Sequence, residues 1–377
     1  MCRSLYIHVP FCRHRCGYCN FSVVAGRDDL MDRFLGAIEI ELQQIAAASD
    51  SKPELDTVFI GGGTPTHLDA RRLERLCEIV CDHFRITANA EWSVEANPED
   101  INEEKLSLLH SHGVNRVSLG VQSFNDRKLN ILERAHGGKQ VQGIVELVSQ
   151  TIENVSLDLI FAAPDETIDE WQNDLTVATS LPIKHASTYA LTFEKGTSFW
   201  SRRLKGSLQE TAEELELQMY DLARNHFAAA GLSHYEISNF AKPGFPCRHN
   251  LSYWEGSGWY AAGPGAAGYV DHFRNVNHRS TFAYLKRIES GQSPVAESEK
   301  VSFEQAAREA AAFGVRMIGG VDLDLISQRY DINLWQHCDA ELQMMIGQGL
   351  IVRTESRIQL TEHGIHFADS VASELLG

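Results

Sequence analysis

The chain has 377 residues, of which 43% are hydrophobic and 23% are charged. Its formal net charge of -17 disfavours nucleic acid as a partner, because binding to a phosphate backbone depends on Lys and Arg. No apolar run approaches the ~18 residues that a membrane span needs, and residues 1–10 lack the pattern of a signal peptide. We therefore expect a cytoplasmic protein with one large and one smaller domain.

The first 236 residues alternate short β-branched runs with longer amphipathic stretches. This alternation predicts a parallel sheet with crossover helices. Six βα units are too few for an eightfold barrel, so the predicted fold class is α/β, with a partial (β/α)6 barrel of the TIM type. Strands are predicted at residues 5–9, 57–60, 92–95, 116–119, 155–160 and 187–191, and helices at 31–48, 70–84, 103–112, 139–149 and 170–180.

The pattern changes after residue 236. An aromatic and glycine-rich segment is followed by helical patterns, a probable hairpin and a last helix, which together predict a smaller C-terminal α+β domain that resembles a winged helix. This part carries eleven Asp and Glu against five Arg, so reading of DNA is not expected. The predicted domains are 1–236, 237–300 and 301–377. Within the last, helices are predicted at about 303–317, 322–330, 334–348 and 362–376, and the hairpin at 350–353 and 357–360.

Three cysteines, Cys12, Cys16 and Cys19, directly follow the first predicted strand. Because [4Fe-4S] clusters usually take four Cys ligands, three thiolates leave one iron open to a ligand that is not protein. A closed zinc site needs four tetrahedral ligands, and His14 could supply the fourth only from within the same tight loop. The spacing therefore favours an iron-sulfur cluster, with zinc or chance proximity as the alternatives.

A second motif, Gly61 to Gly63, follows the next predicted strand. Glycines let a backbone approach a ligand closely and point N–H groups at it, although a glycine run can also make a plain turn. Motifs that begin at Glu95 and Gly120 follow the next two strands. Since barrels carry their reactive groups at the C-terminal ends of strands, we expect all four motifs to face one site.

The chain resembles the radical S-adenosylmethionine superfamily, in which three such thiolates hold a [4Fe-4S] cluster and S-adenosylmethionine chelates its open iron. More narrowly it resembles the anaerobic coproporphyrinogen III oxidase group, in its heme-chaperone branch, HemW. The resemblance covers nearly the whole chain. Its motifs, in chain order, are Tyr6, Cys19-Asn20-Phe21, Gly61-Gly62-Gly63-Thr64-Pro65-Thr66, Glu95-Ala96-Asn97-Pro98, Gly120-Val121-Gln122-Ser123-Phe124, Arg134, Asp158-Leu159-Ile160 and Tyr235-Glu236-Ile237-Ser238-Asn239-Phe240.

The resemblance implies which residues contact S-adenosylmethionine. Carboxylates can accept hydrogen bonds from ribose hydroxyls or an amine, and an Arg can pair with a carboxylate through its planar fork. Each of these residues, taken alone, could equally be an ordinary surface or capping residue. The implied cofactor-binding set is Tyr6, Gly62, Gly63, Thr64, Glu95, Gln122, Arg134 and Asp158, and the implied cluster ligands are Cys12, Cys16 and Cys19.

Two features match the chaperone branch. The oxidase branch has a further Cys two residues after the third, where this chain has Phe21. The His-Asn-x-x-Tyr-Trp signature implies contact with heme, since an imidazole can ligate heme iron and aromatic rings can pack on a porphyrin. It could also simply cap an element and fill a core. Ala267 replaces a histidine of the family. The implied heme residues are His249, Asn250, Tyr253 and Trp254.

These observations lead to one main hypothesis and two alternatives. The main hypothesis is a radical S-adenosylmethionine protein that binds a [4Fe-4S] cluster, S-adenosylmethionine and heme and delivers heme to an acceptor protein, with an electron donor not identified by the sequence. The first alternative is an oxygen-independent coproporphyrinogen III oxidase, against which Phe21 argues. The second is an interaction protein that uses residues 301–377 for binding and the cluster as a redox gate.

Overall fold

The computed structural model of the protein describes residues 2–49 and 51–377. The strands are β1 (Ser4–Val9), β2 (Phe11–Cys12), β3 (Val24–Ala25), β4 (Glu54–Gly62), β5 (Arg85–Ala96), β6 (Arg116–Gln122), β7 (Asn154–Phe161), β8 (His185–Ala190), β9 (Ser233–Glu236), β10 (Asn239–Ala241), β11 (Tyr260–Ala262), β12 (Ala267–Val270), β13 (Phe273–Asn277), β14 (Val295–Lys300), β15 (Val321–Asp322), β16 (Ile351–Thr354) and β17 (Arg357–Leu360).

The helices connect these strands and cover the sheet. In chain order they are α1 (Met31–Ala47), α2 (Ala70–His83), α3 (Glu103–Ser111), α4 (Asp126–Ile131), α5 (Gly138–Thr151), α6 (Ile168–Ser180), α7 (Ser198–Leu204), α8 (Glu213–Ala229), α9 (Arg248–Trp254), α10 (Thr281–Glu289), α11 (Phe303–Gly314), α12 (Leu323–Tyr330), α13 (Leu334–His337), α14 (Asp339–Gly347) and α15 (Ala368–Leu376). Among the described residues, no helix is long and apolar enough to cross a membrane.

The main sheet contains the six predicted parallel strands, β1 and β4 to β8, in chain order. Each strand is followed by at least one helix, so the predicted α/β fold with a partial barrel is confirmed. Strand β11 extends the sheet beside β1, and β10 and β9 extend it antiparallel beyond β8. The sequence analysis did not predict these three additional strands.

The apolar pattern explains why the strands are buried on both faces. Leu5, Ile7 and Val9 of β1 have no solvent exposure, as expected for a parallel strand covered by helices. Helix α2 begins at an N-cap, Asp69, whose side chain accepts from the Arg72 N–H at 2.9 Å, and α6 begins with a capping box. Local sequence signals and burial therefore agree throughout the barrel.

A buried ion-pair cluster supports the loops after β6 and β7. The Lys128 ammonium contacts the carboxylates of Glu166 and Asp174, and all three side chains are buried. Asp174 also accepts from the Ser123 hydroxyl at 2.6 Å, and Glu166 accepts from the Ala163 N–H at 2.9 Å. Because every buried charge is paired and hydrogen-bonded, these two loops are held in one arrangement.

Residues 237–300 contribute directly to the barrel. Besides β10 and β11, they supply α9 and a three-stranded sheet of β12, β13 and β14. Buried Glu41 on α1 accepts from the Gly263 N–H at 2.9 Å and from the Tyr284 hydroxyl at 2.6 Å, which fixes the loop after β11. The predicted domain boundary at residue 236 stays a prediction.

The C-terminal part has its own core and contains the predicted hairpin, β16 and β17. Helix α11 ends at Gly314 instead of about 317, because the backbone then turns and Met317 bridges to Glu236. The last helix begins at Ala368, after a single 3-10 turn, and not at about 362. The sequence analysis did not predict five of the helices, namely α4, α7, α8, α9 and α10.

Candidate functional site

The three cysteines lie on the loop that leaves β1, and each is partly exposed. The Cys19 N–H donates to the Cys16 carbonyl at 3.1 Å, which closes a turn in this loop. The Cys12 sulfur accepts from the Thr64 hydroxyl at 3.6 Å, and the Cys16 sulfur lies 3.6 Å from an N–H of Arg134. The thiol loop is therefore tied to the segment after β4 and to the segment after α4.

The donor set of this loop fits an iron-sulfur cluster. Within residues 2–49 and 51–377, no three His, Cys, Asp or Glu converge on a point where they could hold a single metal ion. A [4Fe-4S] cluster does not need such convergence, because each thiolate binds a different iron. Burial raises the pKa of Cys12 to about 12 and also raises that of Cys19, so iron binding has to displace the thiol protons.

The glycine run after β4 is packed too closely for any side chain. Gly62 has a φ of 107°, and a Cβ placed there would lie 2.5 Å from the His8 ring. A Cβ on Gly63 would lie 2.7 Å from the Phe11 carbonyl oxygen and 3.0 Å from the Cys12 sulfur. This segment is thus a backbone wall beside the thiol loop, and its close approach to a ligand stays a prediction.

Two carboxylates, Glu95 on β5 and Asp158 on β7, line a cavity of about 220 Å³ inside the barrel. Glu95 accepts from the Gly62 N–H at 2.9 Å, and Asp158 accepts from the Ser118 hydroxyl at 3.1 Å. Burial, together with the negative charge of Asp158, raises the pKa of Glu95 to about 8. Burial also raises the pKa of Asp158.

Arg134 joins the thiol loop to the ends of β5 and β6. Its guanidinium donates to the Asn97 side-chain oxygen at 2.6 Å and to the Gly120 carbonyl at 2.9 Å. Asn97 in turn donates to the Thr64 hydroxyl at 2.9 Å. Gln122 follows in a left-handed backbone conformation, with a φ of 65°. A hydrogen-bonded network therefore connects four of the predicted strand-end motifs.

The cavity joins two sets of residues that the sequence analysis treated separately. Of the residues implied to bind S-adenosylmethionine, Tyr6, Glu95 and Asp158 line it. The signature residues His249, Asn250 and Tyr253 line it as well, from α9. Trp254 does not, and the Arg316 guanidinium of the C-terminal part lies 5.2 Å from its ring centroid.

His249 is only 1% exposed, and both of its ring nitrogens have partners. Nδ1 lies 2.8 Å from the Thr57 hydroxyl, and Nε2 lies 2.7 Å from the Tyr253 hydroxyl. The Phe59 ring packs against the imidazole at 5.3 Å between centroids. Burial lowers the pKa of His249 to about 3, so this histidine is neutral.

Glu91 anchors the start of α9 inside the barrel. Its carboxylate accepts from the N–H groups of Arg248 and His249, each at 3.1 Å, at the end of the helix where a negative charge is favoured. Sequence reasoning did not identify Arg116, which lines the cavity, or Glu91 and Thr57, which contact α9. No local signal marks them, whereas Asn97 belongs to a motif that was already recognised.

Comparison with known proteins agrees with this arrangement. The sequence profile of the Radical SAM superfamily matches residues 6–178, and that of the HemN C-terminal domain matches residues 301–367. Heme chaperone HemW of Bacillus subtilis (strain 168) is 35% identical over 377 residues, covering 100% of this chain and 99% of the relative. Heme chaperone HemW of Escherichia coli (strain K12) is 31% identical, covering 98% and 96%.

The fold has a solved counterpart. The structure of coproporphyrinogen III oxidase (HemN) from Escherichia coli, described as a radical SAM enzyme, superimposes with a TM-score of 0.87 and covers 99% of this chain and 90% of that one. At 20% sequence identity this likeness concerns the fold alone. The full-length similarity to the two chaperones is closer, and the chain belongs to the HemW family of the radical S-adenosylmethionine superfamily.

Proposed function

We propose that this protein is a heme chaperone that carries a [4Fe-4S] cluster and S-adenosylmethionine and delivers heme to an acceptor protein. The observation that carries the proposal is its similarity, from end to end, to relatives named heme chaperone HemW. Phe21 supports it, because the oxidase branch has an additional Cys at that position.

In this proposal Cys12, Cys16 and Cys19 would hold the cluster, and Gly62 and Gly63 would form a backbone wall beside it. When bound, the reduced cluster supplies one electron that cleaves the sulfonium into methionine and a 5'-deoxyadenosyl radical. The protein's own residues bind and orient the cofactor. Its polar contacts are assigned to Tyr6, Thr64, Glu95, Gln122, Arg134 and Asp158.

The chemistry of these side chains suits S-adenosylmethionine, which carries an ammonium, a carboxylate and a sulfonium group. Glu95 can accept from an ammonium group beside the Gly62 backbone, and Asp158 can accept from ribose hydroxyls. Arg134 lies against Cys16, where its positive charge stabilises the negative charge of thiolates and can pair with a carboxylate. The cavity walls also keep bulk water away from the reacting sulfonium.

Ligation of heme iron by His249 stays a prediction, and it requires one ring nitrogen to give up its present partner, because both are engaged. We propose that His249, Asn250 and Tyr253 close the floor of the cofactor cavity, and that heme binds elsewhere on the protein.

The decisive experiment starts from protein purified and reconstituted without oxygen. Iron and sulfide analysis is expected to give one [4Fe-4S] cluster per chain, and spectral titration is expected to show saturable heme binding. Cys16→Ser is expected to lose the cluster, while Cys81→Ser, outside the loop, is the matched control. Absence of saturable heme binding would refute the chaperone assignment.

The same preparation tests the enzymatic alternative. Incubation with coproporphyrinogen III, S-adenosylmethionine and a reductant is expected to yield no protoporphyrinogen IX. Formation of that product would favour the oxidase. Measuring 5'-deoxyadenosine with and without heme shows whether the cofactor is cleaved when heme is present.

A further inference from the structure

Two positively charged segments stand out in a chain with a net charge of -17. Residues 195–205, Lys-Gly-Thr-Ser-Phe-Trp-Ser-Arg-Arg-Leu-Lys, contain four Lys and Arg and no acidic residue. Residues 13–27, which include the last two cysteines of the thiol loop, contain three Arg and no acidic residue. The proposed function uses none of these cations.

The fold brings the two segments together. The Phe199 N–H at the start of α7 donates to the Gly17 carbonyl of the thiol loop at 2.9 Å. The Phe199 ring fills the space where a Gly17 side chain would stand, 2.5 Å from an ideal Cβ, and packs edge-on against Tyr18. Helix α7 therefore lies directly against the loop that carries the cysteines.

Aromatic rings orient the cations of α7. The Arg202 guanidinium lies 5.2 Å from the Phe199 centroid, while Arg203 and Lys195 lie 5.3 Å and 6.0 Å from the Trp200 centroid. Such contacts hold a cation near a ring face without neutralising its charge. The rings thus hold these three cations on and beside α7, next to the thiol loop.

Part of this charge is unbalanced. Arg13, Arg202 and Arg203 pair with Asp100, Glu133 and Glu210. Within the part of the chain that the structure describes, the exposed residues Arg15, Lys195 and Lys205 form no ion pair. Two large apolar side chains are also exposed on the same segments, namely Leu204 at 68% and Phe21 at 64%.

We propose that this cationic face docks an acidic protein that carries single electrons and reduces the cluster. The face comprises Arg13, Arg15, Phe21, Lys195, Arg202, Arg203, Leu204 and Lys205. The inference rests on the proposed function, because it presupposes the cluster. In the transfer step the carrier loses one electron and the cluster gains it, and no bond forms or breaks.

The observations favour a protein over the propionates of heme. The unpaired cations are spread over the exposed thiol loop and the segment packed against it, whereas a porphyrin is held in a concave, mostly apolar site. Exposed apolar side chains among exposed charges are typical of a protein interface with an apolar centre and a charged rim. Opposite charges on the two partners accelerate their encounter, which suits a transient electron transfer.

The test reverses charge at two residues that touch neither the cysteines nor the cavity. Lys195→Glu/Lys205→Glu is compared with Lys242→Glu/Lys300→Glu, which makes the same change of net charge outside this face. Photoreduced flavodoxin, an acidic one-electron carrier, serves as the probe, and cluster reduction is followed by stopped flow at low and high salt. Reduction by dithionite controls for an intact cluster.

The first variant is expected to lower the rate of reduction by flavodoxin at low salt about 10-fold and to weaken its salt dependence. The second variant is expected to be reduced by flavodoxin at the wild-type rate. Both variants are expected to be reduced by dithionite as the wild type is. An unchanged flavodoxin rate with an intact cluster would overturn this inference alone. Loss of heme affinity at an unchanged rate would assign the face to heme propionates, and wild-type protein without a cluster would overturn both proposals.

Discussion

The Nε2 atom of His249 and the hydroxyl of Tyr253 lie 2.7 Å apart, one turn from each other on α9. This pair faces the cavity that Glu95 and Asp158 line from the sheet. The signature that resembles a heme motif in the sequence is therefore an interior feature of the barrel. Its role can be tested separately from heme binding.

Tyr253→Phe removes the partner of the His249 Nε2 atom and leaves a buried polar atom unsatisfied. The expected loss is about 1–3 kcal/mol in the free energy of unfolding, with weaker binding of S-adenosylmethionine. Heme affinity is expected to be unchanged in this variant and in His249→Gln. Urea unfolding and heme titration check both expectations. A His249→Gln protein of wild-type stability that no longer binds heme would establish His249 as the ligand.

Gly63→Ala adds a methyl group that would lie 2.7 Å from the Phe11 carbonyl oxygen and 3.0 Å from the Cys12 sulfur. The Phe11 carbonyl is part of the backbone and cannot move away freely. We therefore expect a loss of about 1–3 kcal/mol in the free energy of unfolding, together with a lower iron content. The matched control is Gly143→Ala on α5, where no atom lies within 4 Å. That change is expected to stabilise the helix by about 0.5–1 kcal/mol. Equal iron content in the two variants would contradict the close-approach argument.

Glu95 makes stability depend on pH. Its pKa is raised from 4.5 to about 8, so between these values the folded protein holds a proton that the unfolded chain has lost. The contribution of Glu95 to stability is therefore present at low pH and falls as pH rises through this window, by on the order of 5 kcal/mol at about 1.4 kcal/mol per pKa unit.

Urea unfolding from pH 5 to 8 of wild type and Glu95→Gln checks this dependence. The difference between the two proteins isolates Glu95 from the other titrating groups, and the variant is expected to show the shallower slope. Saturating S-adenosylmethionine is expected to flatten the wild-type slope, because its ammonium group favours the ionised carboxylate. Parallel slopes for the two proteins would show that Glu95 does not titrate in this range.

Arg134→Lys keeps the positive charge but loses the planar fork that contacts Asn97 and the Gly120 carbonyl. One or two charge-assisted hydrogen bonds are lost, so S-adenosylmethionine is expected to bind roughly 10- to 100-fold more weakly. Equilibrium binding to the cluster-loaded protein measures this. Arg353→Lys, on the C-terminal hairpin, is the control. Unchanged affinity in Arg134→Lys would remove Arg134 from the binding set.

Much of the barrel could be predicted because local signals and burial coincide there. In the strand of Leu5 to Val9, the apolar residues Leu5, Ile7 and Val9 alternate with Tyr6 and His8, and all three are fully buried. Helix α9 was missed because it is short and its residues are mostly polar or aromatic. The boundaries at Gly314 and Ala368 were displaced by tertiary contacts, which override local preference at the ends of helices.

The sequence by itself determined the six parallel strands, the thiol loop and the family. Each of these depends on local patterns and motifs that follow one another along the chain. Only the tertiary structure decided where the motifs meet. Thr57 and His249 are 192 positions apart, yet their side chains share a hydrogen bond. Such contacts depend on long-range packing and leave no local pattern. This explains why only the three-dimensional structure shows that the signature residues of α9 line the same cavity as Glu95 and Asp158.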